Sequence, residues 1–359
     1  MIIHFLDKVS SKFSEKSKIE GFIIPKILFL FTFLKSFGIR KRLITLYEKW
    51  LINPNIGITT KELTHLIPIG NFITKGKIGD DLLVRKLKYG NETFELKPSK
   101  LFSEQELDRV CKELKSDGFS IVGNIKGTDI YDKLTRLNNV EVFSGKNWKQ
   151  NRKAKQTLLK KPNPAEDFIW YVDPSEVISN TGFQNLILDE FWRQIAKKYL
   201  NCDSKIFSIR CWHSFVKQGL DYTTPENWHL DAGDGFNFIK VFVLLSDVNE
   251  NSGPTQIIPI NQKKLPRKYF VERRFSDREI KNLCKKKNVK VLSAIGPAGT
   301  VYVADTRQIH RGTPVTEGKR FILNFNVAVD DFGGLLSEKY NNNGVATNSK
   351  LHEFLKCLK

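Results

Sequence analysis

From Lys205 to about Val329 the apolar residues of this chain stop recurring every three or four positions and begin to alternate. Side chains on a strand point to opposite faces in turn, so a period of two reads as strands with one buried face. Alternating runs lie near 206–216, 237–246, 254–259, 289–293, 299–304 and 320–329, separated by glycine- and proline-containing turns. One helix interrupts them, opened by the capping pattern Ser276-Asp277-Arg278-Glu279. Short strands so spaced imply a sandwich or barrel, and a double-sheet jelly roll suits an enclosed site. The expected class is mainly β with flanking helices: a double-stranded β-helix, cupin-like core plus a helical N-terminal extension.

Upstream of that region the helical signals return. Ser103-Glu104-Gln105-Glu106 reads as a capping box, and Leu107, Val110, Cys111 and Leu114 follow at helical spacing. Gly118 stands where a C-terminal glycine belongs, before a strand at Phe119-Ser120-Ile121-Val122. A helix feeding a first strand marks the start of a domain. Residues 124–182 mix helix and loop, and Phe183–Leu200 reads as one amphipathic helix. The chain divides into an N-terminal extension (1–100), helical then irregular, a jelly-roll domain (101–335) and a C-terminal tail (336–359). Thr59-Thr60-Lys61-Glu62 caps a short helix within the extension.

The run Phe22 to Leu34 is apolar and is followed by Lys35 and Arg40-Lys41-Arg42. It is too short to span a bilayer, and Pro25 and Lys26 interrupt it. The leading segment lacks the basic n-region and small-residue cleavage site of a signal peptide. A helix docked on the main body fits best. Weak contact of 22–42 with an anionic membrane surface, as in a membrane-peripheral scaffold, is the alternative. The net charge of +19 would attract phosphates, but the basic residues are scattered and no nucleic-acid-binding module is recognisable. No nucleic-acid partner is expected, and an anionic small-molecule substrate uses the positive field more naturally. The five cysteines include no C-x-x-C pair, which points to a reducing compartment and a cytoplasmic location.

The chemistry lies in Asn227-Trp228-His229-Leu230-Asp231 and in His310, far downstream. A histidine and an acid two residues apart on a strand face the same side and can offer an imidazole and a carboxylate to one metal ion. With His310 as third ligand the set becomes two histidines and one carboxylate, which on one face of an octahedron leave three sites open, the arrangement of non-haem Fe(II) oxygenases. The bland alternative is a surface loop in which Asp231 caps the turn at Gly233-Asp234-Gly235. His310 weighs against it, because it follows the strand Gly299–Asp305 and can reach the same end of a barrel.

Arg320 opens the strand 320–329, where alternation sets Arg320, Ile322, Asn324 and Asn326 on one face and Phe321, Leu323 and Phe325 on the other. On a polar inner face its planar fork would fit a carboxylate bidentately, but taken alone a strand-end arginine in solvent is the stronger reading. Lys240 is a rival anchor, although a lysine at such a place ordinarily sits at a solvated strand edge. His213 reads as structural and hydrogen-bonded rather than as a further ligand, and Trp228 as pocket wall.

On these residues the stretch from Ser103 to Val329 is similar to the phytanoyl-CoA dioxygenase family of Fe(II)/2-oxoglutarate oxygenases. The resemblance is carried by the helix and strand at Leu101–Val122 and by W-H-L-D at 228–231. It continues in N-S-G-P-T-Q-I-I-P-I at 251–260 and G-T-V-Y-V-A-D-T-R-Q-I-H-R-G at 299–312. It implies Fe(II) on His229, Asp231 and His310, 2-oxoglutarate as co-substrate, and Arg320 on its distal carboxylate. Halogenating relatives carry a small residue in place of the acid, so Asp231 implies hydroxylation. The family often has a serine or threonine soon after the distal histidine; here Arg311-Gly312 intervene before Thr313, a weaker match for co-substrate binding. A lid from 140–182 or 261–275 is expected over the site. A non-catalytic jelly-roll ligand-binding protein is the alternative from another class.

Overall fold

The structure, a computed structural model, describes residues 44–46, 48–49, 74, 77–89, 97–145, 160–201, 205–216, 226–231, 237–261, 264–266, 269 and 274–328. The 22–42 segment, the capping pattern at Thr59–Glu62, the 336–359 tail and much of 261–275 lie outside the described residues.

Helix α1 (Ile78–Tyr89) buries Ile78 and Leu82 in the main core. Helix α2 (Glu104–Asp117) begins as its sequence dictates. The Ser103 hydroxyl accepts from the Glu106 N–H at 3.2 Å, while the Glu106 carboxylate accepts from the Ser103 N–H at 2.6 Å. Leu107, Val110, Cys111 and Leu114 form its buried face. Gly118 ends it at φ +71°, and a Cβ there would also collide with the side chain of Gln308. Both the left-handed turn and the close approach require glycine.

The chain continues through β1 (Phe119–Asn124), α3 (Asp129–Thr135), β2 (Val142–Ser144), β3 (Ile169–Val172), α4 (Pro174–Ser179), α5 (Thr181–Ile187) and α6 (Glu190–Ile195). Helix α6 ends in a π turn at Ala196–Leu200. The single helix expected over Phe183–Leu200 is thus broken. Asp189 is the cause: its carboxylate caps α6 through the Phe191 N–H at 3.0 Å and also accepts from Ser99 Oγ at 2.6 Å. These bonds hold it in extended geometry, which stops α5.

The β region follows as β4 (Lys205–Phe215), β5 (Trp228–His229), β6 (Phe238–Leu244), β7 (Thr255–Ile257), β8 (Arg274–Phe275), α7 (Asp277–Lys287), β9 (Leu292–Ser293), β10 (Thr300–Ala304), β11 (His310–Gly312) and β12 (Lys319–Ala328). One sheet has the order β1-β10-β6-β12-β4-β3-β2 and the other β8-β5-β11-β7-β9, all neighbours antiparallel. This is a jelly-roll core with flanking helices. Strands β2 and β3 extend the larger sheet, with Ile169 opposite Ser214, so this part of 140–182 is framework rather than lid. Trp170, fully buried, anchors it.

Alternation along β12 separates two environments. Phe321, Leu323, Phe325 and Val327 pack in the core shared with the helices, where Phe325 meets Trp192 and Phe183 edge-on at 5.5 and 6.1 Å. On the other face Ile322 joins Phe242, Leu244, Tyr302 and Ile257 between the sheets. Arg320 and Asn324 line a cavity on that same face.

Candidate metal centre

Strands β5 and β11 are neighbours, and His310 stands opposite His229 in register. Asp231, just past β5, is fixed by its backbone: its N–H donates to the Thr306 carbonyl at 3.0 Å. The result brings three residues from two distant stretches together, with one ligand atom from each lying within 4.8 Å of the others. His310 Nε2 is 3.2 Å from Asp231 Oδ2, and His229 Nε2 is 3.7 Å from Asp231 Oδ1.

Both imidazoles are held in one tautomer. His229 Nδ1 lies 2.7 Å from the Asn227 carbonyl and His310 Nδ1 lies 3.0 Å from the Gln308 carbonyl. A carbonyl only accepts, so each Nδ1 carries a hydrogen and Nε2 is the nitrogen turned to the shared centre. Burial, with His310 beside it, lowers the His229 pKa to about 3, so this ring is neutral near pH 7. Burial alone would raise the Asp231 pKa; Lys240 and the two imidazoles reverse that and hold it well below the usual carboxylate range.

Asp231 Oδ2 is buried and makes no well-directed hydrogen bond, although Lys240 Nζ stands 2.8 Å away. Two imidazole nitrogens and one ionised carboxylate, converging on one point, are a donor set that fits a divalent first-row metal.

The triad opens on a cavity of about 230 Å³ that also exposes Arg320, Lys240 and Thr313, so every expected site residue reaches one space. Arg320 is buried; it donates to the Gly253 carbonyl and, at 3.3 Å, to Ser214 Oγ, and its Nε finds no partner among the described residues. Burial lowers its pKa, opposed by Tyr302 and Glu226. Lys240 turns to Asp231 and not to a solvated strand edge. Thr313 Oγ1 donates to the Pro254 carbonyl at 2.9 Å.

Other cavity residues carried no motif of their own: Arg210, Tyr171, Trp212, Glu226 and Arg274. Arg210 and Trp212 had a signal in the alternation of β4, whose Arg210 pairs with Asn324 and whose Ser214 pairs with Arg320. His213 points the other way. It stacks on Phe321 with ring centroids 4.0 Å apart, and neither ring nitrogen has a hydrogen-bond partner among the described residues. Its role is structural as expected, but stacking rather than hydrogen bonding holds it.

Among the described residues no helix is long and apolar enough to cross a membrane. No family model and no curated protein matches the sequence. Solved structures with a similar course of chain include EctD from S. alaskensis with bound Fe (15% identity, TM-score 0.44, covering 67% of this chain and 80% of that one). HygX from Streptomyces hygroscopicus, solved with nickel, 2-oxoglutarate and hygromycin B, is similar at 14% identity and TM-score 0.41, covering 62% and 87%. The non-haem α-ketoglutarate-dependent epimerase SnoN from nogalamycin biosynthesis is similar at 14% and 0.41, covering 62% and 82%.

Proposed function

We propose that this chain is an Fe(II)- and 2-oxoglutarate-dependent dioxygenase of the phytanoyl-CoA dioxygenase type that hydroxylates a small, anionic substrate. The observation that carries the reading is the opening of a two-histidine, one-carboxylate cluster and a buried arginine into one cavity.

His229 and His310 would hold the metal through Nε2, and Asp231 through its carboxylate. Bound iron with 2-oxoglutarate supplies the oxidation of a substrate C–H by O2, with succinate and carbon dioxide as co-products. Arg320 is placed to hold the distal carboxylate of the co-substrate, because a buried guanidinium is most stable against an anion and its fork matches that group. Lys240 balances the charge of Asp231, so Arg320 rather than Lys240 is the anchor we assign. Thr313 lines the same cavity and can adjust the co-substrate by hydrogen bonding. An acid at 231 favours hydroxylation over halogenation. Arg210 and Arg274 on the cavity wall favour an anionic substrate. The described free thiols Cys111, Cys211 and Cys284 suit a reducing, cytoplasmic setting.

Anaerobic addition of Fe(II) and then 2-oxoglutarate to the full chain tests the reading. A weak visible charge-transfer band is expected, with succinate formed on admission of O2 and a substrate. Binding of small anions with neither band nor succinate would instead establish a non-catalytic jelly-roll binding protein.

A further inference from the structure

The spacing of the three candidate ligands depends on one crossover, Asp305–His310, which leaves β10 in the larger sheet and enters β11 in the smaller. The Thr306 carbonyl accepts from the Asp231 N–H, and the Gln308 carbonyl accepts from His310 Nδ1. Any shift of this segment therefore moves Asp231 and His310 together, relative to His229.

A largely buried cluster grips the crossover at its start. Arg307 forks onto Asp305, with Nε on Oδ1 at 2.7 Å and a terminal nitrogen on Oδ2 at 2.5 Å. Its other terminal nitrogen donates to Asn237 Oδ1, at the start of β6. Tyr199 Oη donates to Asp305 Oδ2 at 2.7 Å, reaching in from the π turn that ends α6. Burial and the Asp305 charge push the Tyr199 phenol well above its ordinary pKa, so it stays a donor. The Asp305 N–H donates to the Gly118 carbonyl at 2.7 Å, tying the crossover to the end of α2.

A buried ion pair contributes little net stability, because desolvation offsets the attraction. What a bidentate pair does supply is direction. A π turn in a helix is uncommon and is frequently found at functional sites, and here it is the element that delivers Tyr199. We infer that Tyr199, Asp305 and Arg307 form a positioning unit that keeps the metal ligands at binding distance from one another. The inference rests on the metal-centre reading above.

Co(II) titration of the full chain, followed by its visible spectrum, tests this with four proteins: wild type, Tyr199→Phe, Arg307→Lys and the remote control Ser99→Ala. Ser99→Ala deletes a hydrogen bond to Asp189 in the helical layer. Tyr199→Phe should weaken Co(II) binding by about 10-fold and alter the cobalt band, and Arg307→Lys by roughly 10- to 100-fold, the range for partners behind metal ligands. Ser99→Ala should lower thermal stability alone. Cobalt affinity unchanged in Tyr199→Phe, or reduced equally in Ser99→Ala, overturns the positioning role while leaving the metal centre standing. A wild type that takes up no Co(II) overturns both. Should Arg307→Lys not fold, Tyr199→Phe decides, since it removes one oxygen from an otherwise unchanged ring.

Discussion

Strands β4 and β12 run 11 and 10 residues and pair along nearly their whole length, whereas β5 and β11, which carry the two candidate histidine ligands, run only 2 and 3. The larger sheet is backed by fully buried aromatic side chains such as Trp192, Phe183 and Phe325. The smaller sheet has its own modest cluster around Trp228, Ile258, Phe275 and Ile280. Ladder bonds cannot by themselves hold strands so short. Their placement comes from the crossover, from the Trp228 indole donating to Asp277 at 2.8 Å, and from the guanidinium of Arg311 over the Trp228 ring at 4.4 Å. Stability and ligand geometry thus reside in different sheets. Substitutions in one should leave the property of the other nearly untouched.

The sharpest break of this contrast is His229→Ala, which should abolish metal binding and succinate formation while lowering the melting temperature by only about 1–2 °C, as for roughly 1 kcal/mol in a chain of this size. Calorimetry of the metal-free protein beside a metal titration reads both. Its mirror image is Phe325→Ala. Removing that ring should cost about 3–5 kcal/mol in chemical denaturation yet leave metal affinity as it was.

Arg320→Leu comes next. Loss of hydrogen bonds to a charged group, worth about 1.5–3 kcal/mol, should weaken 2-oxoglutarate binding roughly 10- to 100-fold without displacing the metal. Loss of the metal instead would assign Arg320 to the framework. The smallest effect is a pH dependence. Burial, with help from Lys319, lowers the His213 pKa from 6.5 to about 4, so the unfolded chain takes up this proton first as pH falls. The contribution to stability is full above pH 6.5 and is lost between pH 6.5 and 4. His213→Phe should make the fall in melting temperature over that interval shallower, and an unchanged slope would place the acid sensitivity elsewhere.

The parts legible in the sequence were those with local signatures. The capping boxes at Ser103 and Ser276 form as read, because their bonds span three residues and need no tertiary context. The alternation of β12 sorted Arg320 from Phe321 and Phe325 correctly, because both of its faces are covered by different material. Strands β5 and β11 left no periodic trace, since a period of two cannot be read in two or three residues. The break at Asp189 depends on Ser99, 90 positions away, and no helical pattern announces it. The orientation of Lys240 was hidden for a similar reason: its partner is set by how β6 lies against the end of β5, and not by its neighbours in the chain.

Each candidate histidine ligand has its proton fixed by the carbonyl two positions before it in the chain. The chemical identity of the metal-facing atom is therefore independent of every side chain around the cavity. Residues such as Arg210, Tyr171 or Trp212 can drift, and with them the molecule admitted, while the nitrogen presented to the metal stays the same. Such an arrangement lets one reactive kernel be passed among many substrates by repainting the walls alone.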